Sequence, residues 1–143
     1  MTTLTLEQAS AIVDGALAKG RETGCRPLAV AVLDAGGHLK ALKREDGSSL
    51  LRPQIAIGKA WGALGMGMSS RQLGEAAEAR PSFFTSLMVA SEGRIVASAG
   101  GVLVLSADGE VLGAVGITGD SSDKDEVCSM AGIAAAGLAH DEG

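Results

Sequence analysis

The chain reads as an α/β (α+β) domain, an antiparallel sheet with helices packed on it. Three observations lead there. Two pairs of short apolar runs, Leu28–Asp34 with His38–Lys43 and Val102–Leu105 with Val111–Ile117, are each joined by a glycine-containing turn that suits a hairpin. Around these pairs lie capped segments with helical spacing. Nothing like a linker or low-complexity tract divides the 143 residues, so residues 1–143 are expected to form one domain, long enough to bury a core.

The elements follow in order. Thr5-Leu6-Glu7-Gln8 has the form of a capping box, and Ala9, Ile12, Val13, Ala16 and Leu17 then recur on one helical stripe that stops near Gly24. Ala35-Gly36-Gly37 turns the first hairpin, and Asp46-Gly47-Ser48-Ser49 is a loop. Pro53 suits the first turn of a helix running to about Gly65. Ser69-Ser70 opens another helix, Arg71–Ala79, which Pro81 stops. Ser82–Ala90 reads as helical or irregular, and Arg94–Ser98 as a further short strand. Ala107-Asp108-Gly109 turns the second hairpin. A Gly-rich exit, Gly116-Ile117-Thr118-Gly119-Asp120, leads to a last helix, Asp123–Ala139. Ser121 and Ser122 are its candidate caps, Ser122 with Asp125 resembles a capping box, and the acids of the first turn oppose the helix dipole.

Composition limits the function classes. A formal charge of −5 argues against a nucleic-acid surface, which needs clustered Lys and Arg. No run of eighteen apolar residues is present, so no membrane span is expected, and the first ten residues lack the basic and apolar regions of a signal peptide. Cys25 and Cys128 are far apart in sequence with no CxxC spacing, which reads as free thiols in a reducing cytoplasm. The spacing GAVGITG is not GxGxxG, no GK[ST] follows a Gly-rich loop, and no hydrolase signature appears.

The segments GGVLVL, DGEVLGAVGITGD and DEVCSMAGIAAAGL closely resemble the C-terminal half of the GlcG/HbpS family of haem-binding or haem-degrading-type proteins, which includes the C-terminal domain of PduO-type proteins. AVAVLDAGGHLKALKREDG is similar to the family's strand–turn–strand, and QIAIGKAWGALGMG to its following Lys-Ala helix. The resemblance spans roughly Leu6 to Leu138, with one departure: Leu103 stands where the family often has proline. It implies a profilin-like α/β/α arrangement, a homo-oligomer and haem as the candidate cofactor. The small residues of AGIAAAGLA, which allow close helix contact, also favour self-association.

Five residues are the candidates for chemistry. His38, just past the Gly-Gly turn, is placed to ligate a haem iron or shuttle a proton; the alternative is an exposed turn histidine. Lys59 sits in an otherwise apolar helix, where it either meets a carboxylate or propionate or snorkels over apolar surface. Arg44 and Arg52 bracket the Asp46–Ser49 loop and suit a bound anion. Thr118, with the amides of Gly116–Gly119, ends a strand beside a helix N-terminus, a place that favours anions, although Asp120, Asp123 and Asp125 oppose phosphate there. A pocket between the His38 turn, the Arg44–Arg52 loop, Lys59 and Thr118 is expected. The acidic pairs Glu75/Glu78 and Asp123/Glu126 read as solvated or cap-stabilising charges, the methionines as core and His140 as having no role, so no metal site is expected.

Two function classes remain. One is a haem- or tetrapyrrole-binding module with weak degradative chemistry, as the resemblance implies. The other is a small cofactor-free catabolic enzyme, of isomerase, hydratase or lyase type, doing acid/base chemistry on a carboxylic-acid metabolite with His38, Lys59 or an acid near Thr118. A structural partner with a vestigial pocket is the bland reading.

Overall fold

The computed structural model describes residues 3–141. Five helices and five strands run in the order α1 (Leu6–Glu22), β1 (Ala29–Asp34), β2 (Leu39–Arg44), α2 (Arg52–Met66), α3 (Ser70–Ala79), α4 (Pro81–Ala90), β3 (Gly101–Leu105), β4 (Val111–Thr118), α5 (Ser122–Ala135) and β5 (Ala139–His140). The strands form one antiparallel sheet in the order β2-β1-β4-β3-β5.

Strand alternation divides the core. Val30 and Val32 of β1, Val102 and Val104 of β3, and Val115 and Ile117 of β4 face α1 and α5, where they meet Ile12, Val13, Ala16, Cys128 and Ile133. On the opposite face Ala29, Ala31, Leu33, Leu103 and Ala114 meet Ala56, Ala60 and Ala63 of α2. Both faces of β1, β3 and β4 are therefore covered, which explains why these runs are apolar throughout rather than alternating. A further cluster of Leu73, Phe84 and Ile95 lies beyond α2 and takes in Trp61.

The many small residues set how close the layers come. A Cβ at Gly116 would overlap the carbonyl oxygen of Ala56, and one at Gly101 that of Lys59, so the backbone of α2 lies directly on β3 and β4. On the other face, the α-carbon of Gly132 lies close against Ile12 and Ala16 of α1. Gly132 is thus used against α1, while Ala134 and Ala135 of the same helix stay exposed.

Local chemistry agrees with the sequence at α1, where Thr5 Oγ1 accepts from Gln8 N at 3.0 Å and Gln8 Oε1 accepts from Thr5 N at 3.0 Å. Three expectations are corrected. The Arg94–Ser98 segment is not a strand of the sheet; Val96 N donates to Gly58 O at 3.2 Å, so this apolar run packs on α2 instead. The last helix ends at Ala135 rather than Ala139, because Gly137 adopts φ +75 and Ala139–His140 then pairs with β3. Ser121, not Ser122, caps α5 by accepting from Lys124 N, while Ser122 Oγ lies 2.6 Å from Ser98 Oγ. Ser82–Ala90, left open in the sequence, is helical.

Candidate functional site

The antiparallel path of β1 and β2 decides which candidates can meet. Ala29 pairs with Arg44 on one side and Thr118 on the other, while Asp34 and the turn before Leu39 lie at the opposite end. Five residue steps at about 3.4 Å each place roughly 17 Å between the two ends of β2. Arg44, Arg52, Lys59 and Thr118 gather at the first end, and His38 stands alone at the second. The single pocket expected between all four regions is not formed.

At the first end, Arg52 donates from Nη1 to Thr118 Oγ1 at 2.7 Å and from Nε to Ser49 Oγ at 3.3 Å, tying the start of α2 to the end of β4. Arg44 Nη1 donates to Ser48 O at 3.1 Å. Arg44 also lines a cleft of about 760 Å³ beside the end of α1, but the charges there neutralise one another through Lys43–Asp14 and Arg21–Glu45.

Lys59 is buried, at 3% exposure. Its Nζ donates to Ile117 O at 2.9 Å and to Asp125 Oδ2 at 3.2 Å, and Asp125 Oδ1 accepts from Asp120 N. Burial pushes the Lys59 ammonium below the usual lysine range and the Asp125 carboxyl above the usual carboxylate range, each against the pull of its partner. Neither the large cleft at Arg44 nor the cavity described below is lined by Lys59. The sequence marks Lys59 as unusual, but its partner, 66 residues away, has the sequence position of a capping acid and is instead buried against it. Glu126 belongs to the same correction. It is buried, and Arg71 joins it at 2.8 Å and also pairs with Asp123.

At the second end, Asp34 Oδ1 accepts from the backbone N–H groups of Gly36 and His38, both at 3.0 Å, which builds the tight turn. The same oxygen lies 3.4 Å from His38 Nδ1, on a ring that is 82% exposed. Burial would raise the Asp34 carboxyl, but the two N–H groups and the His38 ring hold it below the usual range. A carboxylate beside Nδ1 of an exposed ring is the kind of neighbour that orients a ligating imidazole. The Gly37 backbone rests near the indole of Trp61, so the turn borders an aromatic surface of α2.

Among the described residues no group of three or more His, Cys, Asp or Glu is placed to hold a metal ion, and no helix is long and apolar enough to cross a membrane. Cys25 and Cys128, distant in sequence, are neighbours in the fold, both as free thiols.

Comparison with known proteins agrees with this architecture. An uncharacterized 15.0 kDa protein of Citrobacter freundii, from a dhaT-dhaS intergenic region, is 28% identical over 127 residues, covering 89% of this chain and 87% of that protein. Among solved structures, a PduOC:heme complex superposes with a TM-score of 0.86 at 23% identity, over 99% of this chain and 100% of the other. Klebsiella pneumoniae protein ORFY gives 0.86 at 23% identity, over 96% and 92%. A double mutant of Streptomyces reticuli HbpS gives 0.80 at 27% identity, over 94% and 87%. A model of the family described as haem degrading protein HbpS-like matches residues 4–134, nearly the whole of the fold, and the chain belongs to this HbpS-like family.

Proposed function

We propose that the protein binds a small ligand and that the ligand is haem or a related tetrapyrrole, held at the surface with its iron on Nε2 of His38. The observation that carries this reading is the Asp34–His38 pair. The Asp34 carboxylate lies 3.4 Å from Nδ1 of a ring that is 82% exposed, a neighbour suited to orienting a ligating imidazole. The residues that would hold the group are His38 at the turn, with Trp61 and Leu39, which is 52% exposed, beside it. When bound, haem would supply the redox and oxygen chemistry of its iron, and the protein would contribute ligation and an apolar border. Family membership and the haem complex of the PduOC relative support the same ligand.

Arg44, Arg52 and Thr118 are too far from His38 to share a small ligand with it, and they are proposed only as a separate anion contact. The acid/base alternative built on Lys59 is not carried forward, because its ammonium is enclosed and already bonded to Ile117 O and Asp125.

The test is a haemin titration followed in the Soret region. Wild type is expected to give a saturable shifted band. His38→Ala should lose the shift while keeping stability within about 0.5 kcal/mol, as for an exposed side chain outside caps and core. An unshifted band with wild type sinks the haem reading, and an unchanged band with His38→Ala removes His38 from it.

We also propose a cytoplasmic homo-oligomer. The surface for self-association is α4, which buries Phe84 but exposes Phe83, Met88 and Val89. Sedimentation showing only monomer at micromolar concentration would overturn it.

A further inference from the structure

A cavity of about 400 Å³ lies between the outer face of α2 and the segment that follows α4. Its walls include Leu51, Ile55, Gly58 and Trp61 from the helix, with Arg94 and Val96 opposite. Among the described residues no acidic residue lines it, and the one charged group there is Arg94. Small-molecule sites have this size and this pattern, an apolar body with few polar groups.

The Arg94 guanidinium is held in place. Its carbon sits 4.1 Å from the centre of the Trp61 ring, and Nε donates to Ser91 O at 2.9 Å. Among the described residues it forms no ion pair, so the outer fork of the guanidinium has no carboxylate of its own. The wall that carries it is also built with strain. Glu92, at φ +57, is the one non-glycine among the described residues with positive φ, and Gly93 follows at φ +76. Two consecutive left-handed residues turn the chain back onto α2, where Val96 N bonds to Gly58 O. A Cβ at Gly58 would come within 2.9 Å of Arg94 O, so the close approach depends on that glycine.

We infer that this cavity binds a hydrocarbon monocarboxylate, with the chain against Leu51, Ile55 and Val96 and the carboxylate on Arg94. A lone fixed guanidinium at an apolar cavity matches a planar anion and disfavours a cation. The inference does not rest on the His38 reading: Trp61 borders both regions, but the groups that would bind, His38 and Arg94, are different and the readouts separate.

The test uses decanoate on the whole protein, with decylamine as the opposite-charge control. Affinity is measured by calorimetry and location by fluorescence, because Trp61 is the only tryptophan in a chain without tyrosine. Decanoate is expected to bind and change Trp61 emission, and decylamine is expected to do neither. Arg94→Met should weaken decanoate by about tenfold or more, the equivalent of one charge-assisted contact, while leaving the haemin Soret response unchanged. Leu51→Glu, at a position 62% exposed, should weaken it too and covers the case in which the Arg94 variant does not fold. No binding by wild type, equal binding of decylamine, or undiminished binding by either variant overturns the inference. Displacement of decanoate by haemin from His38→Ala would also overturn it, because the carboxylate would then be a tetrapyrrole's.

Discussion

Lys59 Nζ lies 3.2 Å from Asp125 Oδ2, and both side chains are withdrawn from water, joining α2 to α5 beneath the end of β4. Burial shifts each group toward its neutral form, so the pair is a costly link whose value lies in having both members present. Lys59→Met or Asp125→Asn alone should cost about 3–5 kcal/mol, because each strands its partner. The double variant should lose clearly less than the sum. Urea unfolding of the four proteins checks this, and simple additivity would refute the coupling.

The contact of α2 with the sheet predicts a steep cost at two glycines. Gly116→Ala would drive a methyl group into the Ala56 carbonyl, and Gly101→Ala into that of Lys59. Each should cost about 3 kcal/mol or more, at the upper end for overpacking. Gly109→Ala is the control, since it meets no atom within 4 Å and its φ is +83. It should lose only about 1 kcal/mol. Equal losses in all three would mean the layers can separate.

Much of this architecture was readable in advance because it is local. The Thr5–Gln8 capping box, the two glycine-turned hairpins and the Pro53 start of α2 need only neighbours in sequence. What was misread depends on distant partners. The apolar run at Arg94–Ser98 resembles a strand, but β5 takes the edge of β3 and leaves that run to α2. Asp125 looked like a cap acid because its lysine lies 66 residues away. The separation of His38 from Thr118 was available from the first hairpin alone, which puts a turn residue and a strand-end residue at opposite ends of the sheet.

Acid stability should depend on Asp120. Its carboxylate accepts from Arg26 N at 2.8 Å and Ser121 N at 2.7 Å, which hold it below the ordinary 3.8. A carboxyl depressed in the folded state adds stability above 3.8 that is lost as pH falls through its folded value. The stability curves of wild type and Asp120→Asn should therefore differ at neutral pH and approach each other below 3.8. A constant gap at all pH values would assign the loss to something other than the charge.

The two thiols should react unequally. Burial pushes the Cys128 thiol up to about 12, with Cys25 beside it contributing, whereas Cys25 is only half-buried. Since the thiolate is the reactive form, a thiol-specific reagent should titrate one cysteine in the native protein and both in denaturant. Two fast native equivalents would show that α5 opens.

The strand β2 sits at the outer margin of the sheet and presents Lys40, Lys43 and Arg44 in a run of six residues. An unpaired margin is where one chain's sheet can be extended by another's, and cations on it, here Lys40 and Arg44 beside the Asp14-paired Lys43, disfavour two such margins meeting. The opposite margin is closed by the short β5. Growth by strand addition, the route to fibrils, is therefore blocked at β2 by charge and at β3 by the chain's own tail.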